Sequence, residues 1–198
     1  VTTTNRLVSF DDDGFTYGTG SNIYVNNTDT IAWGWDAGDG DPVSNTTGSI
    51  NSTVKANDAT GFSIVSYTGN GSVGATVGHG LGTAPSMIII KKRSTTGNWI
   101  TYHAGIGINK FVYLNLTGAA STASPTWGVS STTFTLQQAY GDDNTNGSTY
   151  IAYCFSEVSG VSKFGSYTGS GSAGKAITGL GFRPGFLMIK NATSTSDW

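Results

Sequence analysis

Each set of residues that could do chemistry in this sequence lacks a member. GNGSVG (69–74) and GSGSAG (169–174) both satisfy G-x-G-x-x-G, a spacing that cradles a pyrophosphate when a helix opens behind it. Here strand-forming residues follow, in ATVGHG and KAITGL, so the glycines predict hairpin turns. Gly169, Gly174 and Lys175 approach a P-loop, but Ala176 stands where a Ser or Thr must hold magnesium. The first copy has Ala75 in place of the lysine. No cofactor is expected.

Calcium is the next chemistry to weigh. Asp142, Asn144, Asn146 and Gly147 fall at calcium-loop spacing, yet the twelfth position is Tyr153 where a bidentate Glu should close the loop. Asp36, Asp39 and Asp41 cluster in DAGDGD, where an ion could stiffen a joint. Both groups are candidate ligand sets, and in both the competing expectation is a plain polar turn. Folding is expected to need no metal.

Catalysis has few carriers. The histidines are His79 and His103, and the sole glutamate is Glu157. A glycosidase needs two carboxylates flanking one bond, and Glu157 has no acidic counterpart in the aligned stretch, where Ala37 stands. No enzyme activity is expected. The lone Cys154 excludes an internal disulfide and lies in the apolar run TYIAYCF, so it predicts a buried, inert thiol. For sugar stacking, Trp127 in SPTWG and Tyr140 are the candidate exposed contacts, because both fall outside the strand pattern. Trp33, Trp35 and Trp99 are expected to pack.

The elements that would position these residues are strands. Gly, Thr, Ser and Asn make up 95 of 198 residues, and charged residues only 11%. Aromatic residues still reach 12%, enough apolar surface for a core. Ten basic residues against twelve acidic ones leave no electrostatic footprint for nucleic acid. The aliphatic run Met87 to Ile90 is too short to span a bilayer. Turn clusters recur every 8–12 residues or so, a spacing typical of a sandwich or barrel. Strands are predicted at 6–10, 14–18, 22–25, 29–35, 50–55, 61–68, 73–77, 86–93, 98–103, 109–116, 132–138, 148–156, 162–168, 175–178 and 185–191. In 109–116 and 148–156 both faces are apolar, which predicts central strands covered on two sides.

The chain also repeats itself. SYTGNGSVG (66–74) returns as SYTGSGSAG (166–174), and GLGTAPSMIIIK (80–91) as GLGFRPGFLMIK (179–190), with thirteen identities in 21 positions. Trp99 matches Trp198, and DTIAWGW (29–35) aligns with TYIAYCF (149–155). The expected organisation is a closing part of one unit at 1–35, a polar linker at 36–60, a complete unit at 61–160 and the opening of a further unit at 161–198. The fold class expected is all-β, with tandem small antiparallel β-sandwich repeats, jelly-roll or lectin-like, of about 100 residues. On this phase the chain is expected to be a segment of a longer protein.

The stretches GFSIVSYTGNG, VGHGLGTAPSMIIIKKR, NWITYH and TYIAYCFSEVSGVSKFGSYTG, with SFDDDGFTYG before them, resemble a repeat of large virion proteins of marine tailed bacteriophages. The resemblance implies a tail-fibre or other virion-surface structural module, with host attachment as its purpose. The partners it implies are other virion proteins and a host-surface glycan, and the location is the particle surface. A glycan-binding adhesin of a bacterial surface is the alternative, and a glycan-degrading tailspike a third. Few Lys and Glu residues remain to protect sheet edges. A homo-oligomer is therefore expected, three-fold first, with Met87 to Ile90 and Phe186 to Ile189 as contact elements if either lies at an edge.

Overall fold

The computed structural model describes residues 7–18, 29–30, 32–137 and 141–198. The expected strand 22–25 and the candidate Tyr140 lie outside the described residues. The chain divides into two compact units, Val1–Trp35 and Asp36–Trp198.

In the first unit, β1 (Leu7–Asp11) and β2 (Gly14–Tyr17) form an antiparallel hairpin. Asp11 secures the turn by accepting hydrogen bonds from the hydroxyls of Ser9 and Thr16, both at 2.8 Å. Those bonds favour the carboxylate and hold Asp11 below its ordinary pKa. Phe10 stands opposite Phe15, and both are exposed. Trp33 and Trp35, expected in a core, are 69% and 53% exposed. Their aligned counterparts Tyr153 and Phe155 are covered by strands on both sides, and no such strands are present among the described residues of this unit.

The second unit is all-β. It contains β3 (Val43–Asn45), β4 (Ser52–Asn57), β5 (Phe62–Thr68), β6 (Thr76–Gly78), β7 (Met87–Lys92), β8 (Trp99–His103), β9 (Lys110–Tyr113), β10 (Ser121–Thr122), β11 (Thr133–Thr135) and β12 (Thr149–Phe155). An eight-stranded sheet runs in the order β10-β9-β8-β7-β12-β5-β4-β3, and β11-β6 makes a second, two-stranded sheet. Every named strand pair is antiparallel. Alternation along the strands sends Val54, Val65, Tyr67, Ile88, Ile90, Ile100, Tyr102, Tyr150, Ala152 and Cys154 to one face. Val77, Phe134, Leu136 and Trp127 close over them, giving the packed layers of a β-sandwich. Burial pushes the Cys154 thiol up to about 12, in keeping with an inert core residue.

The expected organisation needs correction. Residues 36–60 are not a linker: they carry β3 and β4, and β4 pairs with β5 over six positions, from Ser52↔Tyr67 to Asn57↔Phe62. The stretch is polar because every second side chain there faces away from the core, and turn residues bracket such short strands. The aliphatic run Met87 to Ile90 is buried inside β7, between β8 and β12, so it is no edge. The predicted strands 162–168, 175–178 and 185–191 are absent, and with them a shared strand path for the two sequence copies. In the first copy β12 lies between β5 and β7 and bonds to both.

His79 links the loops beneath the sandwich. Its Nδ1 accepts a hydrogen bond from the Leu81 amide at 3.2 Å, leaving Nε2 to donate to the Ser130 carbonyl at 3.2 Å. Burial lowers the pKa, against smaller opposing effects of Ser130 and Asp58. Burial lowers His103 likewise, with Glu157 opposing. An unfolded histidine takes up its proton near pH 6.5, before either folded ring does. Stability is therefore complete above about pH 6.5 and falls as the pH drops below it towards the folded values. Urea midpoints should be lower at pH 5 than at pH 7.5, and the NMR titration of His79 should lie below that of a free imidazole. Equal midpoints with an unshifted titration would contradict this burial.

Candidate binding face

The outer face of the eight-stranded sheet is built from the alternate residues of the same strands. One row across it reads Lys55, Ile64, Tyr153, Ile89, Thr101, and the next reads Ser44, Thr53, Ser66, Ile151, Lys91, Trp99. At one end this face is a second apolar cluster, with Phe62, Met87, Ile89 and Phe155 buried beneath Ala37 and Phe164. At the other end Trp99, Tyr153, Ile64 and Ile151 stay half-buried.

The aromatic rings there lie in step. Tyr153 is stacked within 15° of Trp99 at 6.5 Å, and within 4° of Phe62 at 6.4 Å. The Lys91 ammonium sits 5.7 Å from the Trp99 ring centre and donates to the Gly97 carbonyl, so its charge is placed against the aromatic face. The Trp99 amide donates to Asn115 Oδ1 at 2.9 Å, which holds the end of β8 in register. Burial raises the Tyr153 pKa, opposed in part by the charge of Arg93. The phenol therefore remains a neutral hydrogen-bond donor at physiological pH.

Beside this platform opens a cleft of about 300 Å³. Ser44, Thr53, Ser66, Thr68 and Thr149 line it with hydroxyls, and Arg93 brings a guanidinium. Flat rings, a hydroxyl row and the cations Lys91 and Arg93 suit a polyhydroxylated ligand: apolar sugar faces stack on the rings, and hydroxyls exchange hydrogen bonds along the row.

The sequence candidates fall elsewhere. Trp127 is not an exposed contact. It is 1% exposed, tilted against Tyr102 at 5.4 Å, and its amide bonds to the Ile108 carbonyl, which draws the SPTWG loop over the core. Asp142 and Asn144 do not converge on one centre. Asp142 accepts from the Asn98 amide at 3.0 Å and from its side chain at 3.4 Å. Asn144 is turned the other way, onto Asn70 and Ser72 of the glycine loop. Asn146 packs its Cβ near Gly71. Asp36 accepts from the Gly38 amide and the Asn57 side chain, at 2.6 and 2.9 Å, while Asp39 and Asp41 lie in the adjoining exposed bend. No group of three or more His, Cys, Asp or Glu side chains able to hold an ion occurs among the described residues. Glu157 pairs with Lys163 at 2.7 Å on the surface.

Sequence reasoning misses the platform because the repeat gives Trp99 a packing role and the two apolar faces of 148–156 put Tyr153 in a strand covered on both sides. Ser44 and Thr53 lay in the presumed linker. The usable signal was the alternation in TYIAYCF, which puts Ile151, Tyr153 and Phe155 on one face.

A family model described as "Domain of unknown function (DUF7483)" matches residues 1–198. No curated protein and no solved structure matches the chain.

Proposed function

We propose that this chain, which belongs to the DUF7483 family, is a structural and adhesive module of a bacteriophage virion, carried in a tail fibre or surface appendage and used for host attachment. The half-buried Trp99–Tyr153 platform beside a hydroxyl-lined cleft carries the reading, since it offers a glycan contact without a catalytic pair. The resemblance to virion repeats supports the location. The module works by mechanical presentation and binding, not turnover. It needs no cofactor, and nucleic acid and membrane are not its partners. Assembly as a homo-oligomer, three-fold first, would multiply a modest affinity by avidity.

The test is a titration of host-envelope polysaccharide fragments followed by tryptophan fluorescence. Binding should be detectable, and Trp99→Ala should weaken it about tenfold, the equivalent of roughly 1.4 kcal/mol. Thermal melts should show the variant still folded. Mass spectra of the fragments should be unchanged after incubation. Immunogold labelling should decorate virions; labelling of bacterial cell surfaces alone would favour the adhesin reading. Unchanged binding by Trp99→Ala would remove this face from the proposal, and shortened fragments would replace adhesion with glycan cleavage.

A further inference from the structure

Charge is unevenly placed in the unit from β3 to β12, although the chain carries ten basic and twelve acidic residues. None of its named strands contains Asp or Glu, whereas Lys55, Lys91, Lys92 and Lys110 all stand in strands. Pairing puts Lys55 in the outer-face row of Tyr153, and Lys91 in the row of Trp99. Arg93 continues the ladder one residue past β7, its amide donating to the Thr149 carbonyl at 2.8 Å. Alternation returns Arg93 to the face of Lys91, and its side chain lines the cleft. The acidic side chains around the sheet are engaged elsewhere. Asp36 accepts from Gly38 and Asn57, buried Asp142 accepts from Asn98, and Glu157 pairs with Lys163. Among the described residues that last pair is the one salt bridge, so Lys55, Lys91 and Arg93 share this face without a carboxylate partner.

The two cations nearest the platform are held in place. Lys91 is half-buried; its ammonium donates to the Gly97 carbonyl and lies 5.7 Å from the Trp99 ring centre, which leaves donors for a ligand. Burial raises the Tyr153 phenol and the charge of Arg93 works against it, so the guanidinium stands within electrostatic reach of the platform. Among the described residues no hydrogen bond or ion pair engages that guanidinium. Two residues along one strand separate Lys91 from Arg93 by about 7 Å. Like charges at that spacing repel, and an anion bound between them removes the repulsion.

We propose that the glycan bound on this face is anionic: its rings stack on Trp99 and Tyr153, and a carboxylate, sulfate or phosphate group on the same chain is held by Arg93 and Lys91. The proposal rests on the adhesive reading and adds the charge of the ligand. Tyr153 and Arg93 lie one strand and three residues apart in register, about 14 Å along the sheet, so the stacked ring and the charged group belong to different sugars. The flat guanidinium takes two oxygens of such an anion side by side. The hydroxyls of Thr68 and Thr149 beside it serve the neutral part of the chain. A nucleic acid would need a groove of cations following its backbone, and this cleft is lined by hydroxyls instead.

The experiment uses the full 198-residue chain. Host-envelope polysaccharide fragments are separated by anion exchange into neutral and acidic pools. Part of the acidic pool is treated with carbodiimide and borohydride, which turns carboxylates into primary alcohols and leaves sulfate and phosphate intact. Each pool is titrated against tryptophan fluorescence. The acidic pool should bind about tenfold tighter than the neutral pool, and more weakly as sodium chloride is raised. Arg93→Gln should weaken the acidic pool about tenfold and leave the neutral pool unchanged. Its melt should match the unsubstituted chain, because glutamine keeps the backbone bond to Thr149. Binding lost on reduction identifies the anion as a carboxylate; binding that survives reduction but falls with salt identifies sulfate or phosphate. Equal binding of the two pools, or an Arg93→Gln variant that holds the acidic pool as before, overturns the anionic ligand and leaves the adhesive reading standing. Binding by no pool removes both. An oligothymidylate that binds as tightly as the acidic pool overturns the glycan in favour of nucleic acid.

Discussion

Trp127→Ala should lower the unfolding free energy by about 3–5 kcal/mol, the range for removing a buried aromatic side chain. Trp127 is among the largest fully buried side chains, and it fills the space between Tyr102 on β8 and the loop leading to β11. Its Nε1 has no hydrogen-bond partner among the described residues, so the indole is held by packing alone. Trp127→Phe should accordingly cost far less, since it keeps much of the ring and discards an unsatisfied donor. Urea unfolding of the three proteins measures both differences. A loss below about 1 kcal/mol for the alanine variant would mean the indole is not in the core. Glycan binding, if present, should survive in any variant that folds.

Asn144→Ala should destabilise by about 2–4 kcal/mol through orphaned buried partners. Asn144 is fully buried. Its Oδ1 accepts from the Asn70 amide at 2.9 Å, and its Nδ2 donates to the Ser72 carbonyl at 2.8 Å and to Asn70 Oδ1 at 3.3 Å. Alanine removes all three and leaves backbone groups of the glycine loop unpaired. Asn144→Asp should fail as well, because it replaces both donors by acceptors and buries a charge. The loop has little freedom to compensate. A Cβ on Gly69 would stand 2.6 Å from the Thr145 carbonyl oxygen, so the two loops pack backbone to backbone. Thermal melts read the loss, and a chelator should leave the unsubstituted protein's midpoint unchanged. A chelator-dependent midpoint would restore calcium to this loop, and a melt unaffected by Asn144→Ala would remove its pinning role.

The sequence by itself determined what depends on neighbours along the chain. The all-β class follows from β-branched and aromatic residues punctuated by turn residues, and ten of the strands overlap their predicted positions. The buried thiol of Cys154 and the central place of β12 follow from alternation in TYIAYCF. The repeated glycine turns follow too, since their φ values recur in both copies. Tertiary structure decided what depends on distant partners. The same motif forms β5 where β12 and β4 flank it, and no strand at 162–168, beside which no strand is paired among the described residues. Trp127 and the Trp33–Trp35 pair exchanged their expected places for the same reason. Burial is set by what folds over a side chain, and a ladder forms only when a second strand meets its open hydrogen bonds. Turn geometry is stored in four residues or so, whereas a sheet is stored in pairings between strands far apart in the chain.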